Sequence, residues 1–482
     1  MKRAIVFAVA MLITGPALWA APFTQGNLVI LRVGDGTEAL TNAGNSLFLD
    51  EYTTNGVFVQ SVEAPTNQFV TAGGVTNYPI DLTGGNVSEG QISLSTDGRY
   101  VVVAGFGTNR LWEAMNGGNI SATAGAGIPR VVAVADANGN FDTSTANPND
   151  LTTGSGSDIR GVASTDGSNF WIAMSNLGVC YTTLGSSTSV HVQGTTVKRT
   201  VYIFNPRPET AFPAGLQQVY NMAAGGVFAS GTNYPTTLGV PEGGLTNIVN
   251  NGGALSSPYG FLALHLRDGV SSNIDTVYVA DDGSLTGGIS KWTYNPAISN
   301  FWFESGSISA TTGPNAVSTN GTGGVRQLTG AVSVNGNQTN VTLYVVASAN
   351  TGNIYGKLFR LTDTSGFGGV LSGSLPAPAI ASAPASTIWR GIAYAPANTL
   401  QVTSVAKSGS DVPLTWNARG GRQYVVQASS GDANGNYNGT YTDISSTNMM
   451  LGFGPVQGNY VDVGGATNRP ARYYRVKLVG AP

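Results

Sequence analysis

Apolar residues in this chain fall in short alternating runs broken by Gly, Asn, Asp and Ser, a pattern that predicts strands joined by tight turns. Four stretches share one plan, in which an apolar strand meets a two-residue Asp-Gly or Asn-Gly turn and a second strand ends in a small residue. They are QISLSTDGRYVVVAG at Asp97-Gly98, IRGVASTDGSNFWIAMS at Asp166-Gly167, FLALHLRDGVSSNIDTVYVAD at Asp268-Gly269 and LTGAVSVNGNQTNVTLYVVAS at Asn335-Gly336. Their turns lie 69, 102 and 67 residues apart, so the middle interval has room for a degenerate unit, and KRTVYIFNPRPETAFPAGLQQVYNMA (198–223) fills it. Third strands follow in GVCYTTLG from Gly178, GGISKWTYNP from Gly287 and GKLFRLTD from Gly356.

Three or four antiparallel strands repeated at this spacing predict the blades of a β-propeller. IWRGIAYAP (388–396) reads as the first strand of a blade and stops without its hairpin partner. At the other end, NLVILRVG, NSLFLDEY and VFVQSVEAP read as later strands without a first one. Pairing of the C-terminal strand with N-terminal strands completes both. First strands near residues 90, 160, 200, 259, 326 and 389 predict six blades, or seven if 205–257 holds another. The phrase DTVYVADDGSLTGGISKW resembles NHL-type and YVTN-type propeller repeats. Together with it, RVGDG, FLDEYTTNG, SEGQISLSTDGRYVVVAGF and IRGVASTDGSNFWIA resemble a group of secreted bacterial propeller proteins. The resemblance covers roughly residues 27–398 and implies a fold; it implies no activity, because propellers host binding proteins, lyases, hydrolases and scaffolds alike.

Past Pro396 the pattern changes. LTWNA, QYVVQAS and YYRVKLV alternate around Trp416, Tyr473 and Tyr474, as a small antiparallel sandwich does, and resemble a fibronectin type III-like module. Such a module can act as a spacer, a surface attachment or a sorting signal.

Lys2 and Arg3, the apolar AIVFAVAMLI, and the exit through Gly15, Pro16, Ala20 and Ala21 have the order of a secretory signal peptide. The apolar run is about half of the ~20 residues that span a bilayer, so a membrane anchor is the weaker alternative. The chain therefore divides into a signal peptide at 1–20, a propeller at 21–398 and a sandwich at 399–482, exported to the periplasm, the cell surface or the medium. Cys180, the only cysteine, sits in an apolar strand and reads as buried filler. Removing Lys2 and Arg3 from the 23 basic residues leaves 21 against 26 acidic ones, a formal charge of −5. That balance lacks the basic face of a nucleic-acid partner. It leaves a glycan or protein ligand, and says nothing of oligomeric state.

No P-loop, nucleophile elbow or zinc-binding helix motif is present. His191 and His265 stand outside metal or triad spacings, and His265 on an apolar strand reads as a hydrogen-bonded structural residue. Hard cations want several oxygens from one turn, and DANGNFD offers Asp136, Asn138, Asn140 and Asp142 to calcium. DANGNYNGTYTD offers Asp432, Asn434, Asn436 and Asp443, though Tyr437 stands where a calcium loop needs Gly. Ordinary Asx turns are the alternative for both loops, and for Asp281-Asp282-Gly283.

An arginine enters the first strand of three units: Arg160 in DIRGV, Arg326 in VRQLT and Arg390 in WRGIA. Equivalent blades would set these guanidiniums at similar heights near the axis, as an anion-attracting ring. The alternative is that each bridges to carbonyls or an Asp of an adjacent blade. Trp112, Trp171, Trp292, Trp302 and Trp389 can stack on sugar rings or pack between blades. The leading expectation is a non-enzymatic binding protein. Its rival is a polysaccharide hydrolase or lyase using Asp50, Glu51, Glu89, Glu113 or Asp158 as paired acid and base.

Overall fold

The computed structural model describes residues 21–86, 88–108, 118–122, 128–147, 151, 158–193, 198–204, 218–223, 226–229, 236, 257–267, 274–282, 287–298, 302–310, 323–335, 338–349, 356–376, 378–397, 400–419, 423–437, 439–449, 455–467 and 470–479. The signal-like segment at 1–20, most of 205–257, the Asp268-Gly269 turn, Gly336, Gly283, Trp112 and Glu113 lie outside the described residues.

Among the described residues the chain is built from antiparallel sheets, with one three-residue 3-10 turn at Ile120–Ala122. The turn residues act as the sequence predicts. Gly98 and Gly167 adopt φ of 83° and 80°, a region open to glycine, and each amide bonds back to the strand it has just left, at Ser95 O and Ser164 Oγ.

Before residue 400, three of the described sheets hold four strands each. One runs Ile159–Ser164, Asn169–Met174, Gly178–Thr183, Val190–Gln193; another Pro258–Leu264, Thr276–Asp281, Gly288–Tyr294, Trp302–Ser309; the third Gly323–Asn335, Gln338–Ala349, Lys357–Asp363, Ala381–Ser382. Thr200–Phe204, Gln218–Ala223 and Gly226–Ala229 form a three-stranded sheet in the interval where the sequence loses its Asp-Gly turn. Leu28–Val33 pairs on one side with Asn45–Tyr52 and on the other with Ile388–Tyr394, so a late strand lies beside the first one, from Leu28 opposite Tyr394 to Val33 opposite Ile388.

The sequence did not foretell one connection. The two-residue strand Asp81–Leu82 pairs with both Asn45–Tyr52 and Tyr100–Phe106, and so merges the first strands of the chain with Ser93–Leu94, Tyr100–Phe106, Arg130–Asp136 and Phe141–Asn147 into one nine-stranded sheet. Both Asp81 carboxylate oxygens are buried there without a hydrogen-bond partner, and burial drives that carboxyl far above the usual range.

The innermost strands neighbour one another in cyclic order: Ser93–Leu94, Ile159–Ser164, Thr200–Phe204, Pro258–Leu264, Gly323–Asn335, Ile388–Tyr394, and from there back to Ser93–Leu94. Pro258–Leu264 and Ile388–Tyr394 are buried at every residue, whereas the outer strand Trp302–Ser309 alternates. Glycines permit the close approach. A Cβ on Gly391 would meet Gly90 O and, at 2.7 Å, Ile92 N; one on Gly260 would meet Arg326 O at 2.8 Å; one on Gly90 would meet Arg390 Cβ at 2.7 Å.

Residues 402–479 form two further sheets, Val402–Val405, Val412–Arg419, Pro455–Asp462 and, around Gln423–Ser430, Thr442–Asp443, Asn448–Met449 and Arg472–Val479. Trp416, Leu414, Tyr424 and Val426 make a core of their own between them.

Gly391→Ala is expected to destabilise the protein by about 3 kcal/mol, the upper end of overpacking costs, because the obstructing atoms are backbone. Gly73→Ala, whose nearest contact would be a side-chain oxygen at 3.8 Å, should change stability by less than about 0.5 kcal/mol. Denaturant unfolding of the two variants checks the contrast.

Candidate functional site

Five of the innermost strands place one large polar side chain just before the position where the strands crowd together: Arg160 precedes Gly161, Arg199 precedes Thr200, Tyr259 precedes Gly260, Arg326 precedes Gln327 and Arg390 precedes Gly391. Gln91 bridges Gly161 in parallel register, so Gly90 holds the corresponding position ahead of Ser93–Leu94 and Glu89 lies one residue before it. Contacts cross the cycle of strands. Ser88 Oγ lies 3.4 Å from Tyr259 Oη, although their strands are three steps apart in the cycle.

Two carboxyl groups, Glu89 and Asp158, meet here. Glu89 is buried; its Oε2 accepts from Thr83 N (3.1 Å) and Thr83 Oγ1 (2.9 Å), and its Oε1 from Asn86 Nδ2 (2.9 Å). The same amide nitrogen stands 3.5 Å from Asp158 Oδ2, so one donor spans both carboxyl groups. Burial, and then the negative charge of Asp158, push the Glu89 carboxyl up to about 8 against the opposing pull of Thr83 and Arg390. Glu89 is therefore mostly a neutral acid at neutral pH.

The cationic side is larger. Arg326 pairs with Asp282, and its guanidinium carbon stands 4.4 Å from the Tyr259 ring centre. Arg199 stands 4.5 Å from the same ring and donates to Pro258 O (2.8 Å) and Ser257 Oγ (3.1 Å). Tyr259 is thus flanked by two guanidiniums. Burial alone would raise its phenol, but Arg326, Arg199 and the hydroxyl of Ser88 outweigh burial and lower it from the usual value. Arg390, 2% exposed, reaches the Thr83 and Gly84 carbonyls through Nη2, while its Nε and Nη1 are buried with no acceptor among the described residues. Burial, then repulsion by Arg326, lower its guanidinium to about 9. Arg160 is half-buried, 3.5 Å from Asp158, with Nε buried and unpartnered. Arg130 is buried against Phe106 at 4.7 Å and donates to Ile128 O.

Arg160, Arg326 and Arg390 thus lie on three of the five positions, engaged in part with a carboxylate or with carbonyls of a neighbouring segment. Sequence reasoning missed Arg199 and Tyr259 as site residues and gave Glu89 no position. The signal that finds Tyr259 is the glycine: Arg160-Gly161, Tyr259-Gly260 and Arg390-Gly391 repeat one pair, whatever the chemistry of its first member.

The remaining candidates are built into other parts of the fold. Asp136 accepts from the amides of Asn138 and Asn140, and Asp142 from Ser144, as turn carboxylates do; Asp432 holds the amides of Asn434 and Asn436 in the same way. Among the described residues no three His, Cys, Asp or Glu side chains gather around a common metal position. Asp281 caps Ser257 N, and Asp282 serves Arg326. Asp50 pairs with Arg32 at 2.7 Å, and Glu51 accepts from Thr24, Asn27 and Gln60, so this acidic pair is fully engaged in the first strands. Trp171, Trp292, Trp302 and Trp389 are buried, which removes them as surface platforms for sugars. His265 pairs with Asp275 at 2.8 Å, His191 lies opposite Cys180 in a sheet, and Cys180 is buried.

No protein-family model and no curated protein matches the chain. Among solved structures, a gluconolactonase of Xanthomonas campestris is 11% identical over 83% of this chain and 95% of that one, with a TM-score of 0.30. A likeness at that level carries no argument about function.

A raised carboxyl loses folded-state stability as pH climbs from its unfolded value of 4.5 through about 8, because the unfolded chain releases the proton first. Glu89→Gln keeps the neutral shape and removes that titration. Thermal unfolding across this window should decline less steeply with pH in Glu89→Gln than in the unaltered protein, and most of the difference should appear at the alkaline end.

Proposed function

We propose that the chain is an exported, six-bladed β-propeller whose ring is completed by the Leu28–Val33 and Ile388–Tyr394 pairing, followed by a fibronectin type III-like module. It binds an anionic ligand, an acidic glycan, at the axial end where the six inner strands deliver their side chains. The observation that carries this reading is the composition of that cluster: four arginines and one tyrosine at equivalent positions, with one largely protonated glutamate beside them. Charges of one sign focused in a low-dielectric recess attract the opposite sign from solution. The buried Nε and Nη1 of Arg390 are donors awaiting an acceptor, and a bound carboxylate or sulfate supplies one. The segment at residues 1–20 supports export by its charge, apolar run and small-residue exit.

A second reading, cleavage of a polysaccharide, is favoured by one specific feature. Glu89 and Asp158 share the Asn86 amide and differ in environment, Glu89 being buried and Asp158 at the half-buried rim. Pairs of carboxyl groups divided in this way serve as acid and base.

Binding of an array of acidic and neutral polysaccharides to the purified protein tests the first reading. Acidic members are expected to bind, more weakly as salt rises. Arg160→Ala, the most exposed of the three predicted arginines, should weaken binding about tenfold, in keeping with loss of one charge-assisted hydrogen bond. Equal binding of neutral and acidic chains, or no effect of Arg160→Ala, would remove it.

A further inference from the structure

We propose that the axial cluster cleaves polyuronates by β-elimination, with Tyr259 as the base, Glu89 as the acid and Arg390 as the partner of the substrate carboxylate. The inference rests on the anionic-ligand reading above and adds a substrate class and a reaction.

The geometry begins with Tyr259. Its ring lies between Arg199 and Arg326, at 4.5 Å and 4.4 Å, and its hydroxyl lies 3.4 Å from Ser88 Oγ, on the segment that leads into a strand three steps away in the cycle. A phenol flanked by two fixed positive charges ionises more readily than one in water, and the phenolate is a competent base for a carbon acid. The charged and titratable groups facing it are Arg199, Arg326 and Arg390 on the cationic side and Asp282 on the anionic side. Glu89 is the residue after Ser88 in the chain, and its carboxyl, held by Thr83 and Asn86, interacts with Arg390, which in turn interacts with Tyr259. Arg390 is 2% exposed and keeps Nε and Nη1 without acceptors between Glu89 and Arg326.

A uronate residue in a polysaccharide needs these three groups. Its carboxylate must be neutralised before the neighbouring C–H becomes acidic, and Arg390 provides that through the unused donors. The Tyr259 phenolate takes the proton from the carbon α to the carboxylate. The released electron pair forms the double bond between the α and β carbons. The C–O bond to the next sugar at the β carbon breaks, and its oxygen takes the Glu89 proton. One proton enters the tyrosine and one leaves the glutamate, so no water, metal or oxidant is consumed. Exchange with solvent restores both groups.

The test uses the purified protein with polygalacturonate and alginate as probes, and follows the ultraviolet absorbance of the unsaturated uronate product alongside equilibrium binding of the same polymers. Unsaturated ends are expected. Tyr259→Phe should lower kcat by about a thousandfold, within the range for loss of a general base, while polymer binding stays within severalfold, which also reports that the variant is folded. Ultraviolet difference titration gives an independent readout: one phenol should ionise below the usual tyrosine range, and Tyr259→Phe should lack it. Glu89→Gln should slow turnover and remove the alkaline fall of the rate that its deprotonation causes.

Polyuronate binding without unsaturated product overturns the elimination and leaves the binding reading standing. New reducing ends without double bonds overturn it in favour of hydrolysis by the carboxyl pair. Full activity in Tyr259→Phe overturns the role of the tyrosine. If neither polymer binds, the elimination falls, and the anionic-ligand reading falls with it only when the other acidic polysaccharides of the array also fail to bind.

Discussion

The structure depends on how closely six strands can approach one another where they converge. Backbone from neighbouring strands comes near enough at Gly90, Gly260 and Gly391 that a single methyl group would collide with main-chain or Cβ atoms. That approach leaves no room for a side chain at Gly161, Gly260 and Gly391, and the polar group stands on the residue before, as Arg160, Tyr259 and Arg390 do. Packing and site are thus two sides of one steric condition: the glycines that let the strands meet also determine which residues line the end of the axis.

Gathering so many ionisable groups in a dry place is unfavourable unless they compensate one another. Compensation here is uneven. Arg326 has Asp282. Arg199 has two oxygen acceptors near Pro258, and Arg160 a more distant carboxylate. Arg390 and Glu89 are held less fully, and their environments push both toward neutrality from opposite directions. Arg390 Nε and Nη1 have no acceptor among the described residues, so this guanidinium is the least compensated of the group.

Much of the architecture was legible because it rests on local chemistry. Asp97-Gly98 and Asp166-Gly167 mark turns by the φ they require, and the unmatched IWRGIAYAP and NLVILRVG segments pointed to the pairing of Leu28–Val33 with Ile388–Tyr394. The Asp81–Leu82 bridge was not legible, since two residues carry no periodicity and an aspartate argues against a buried strand. The site was half legible. Searching for repeated arginines found Arg160, Arg326 and Arg390, yet equivalence in a repeat belongs to the backbone position, and Tyr259 holds that position with other chemistry, while Glu89 reaches the cluster from one residue outside it. Tryptophan misled for a related reason: on a strand buried on both faces, such as that of Trp389, a large aromatic ring is filler.

The pairing of Leu28–Val33 with Ile388–Tyr394 also bears on how the molecule comes into being. Those residues lie at opposite ends of the repeat region, so the contact that joins them has about the longest loop the region can close, and its entropy must be met before it gives any return. Until the late strand arrives, Leu28–Val33 exposes an open, apolar edge of the kind other chains can add to. A nascent chain therefore carries its greatest aggregation hazard at its beginning and removes it only near its end, which makes the final strand as much a safeguard of solubility as a part of the architecture.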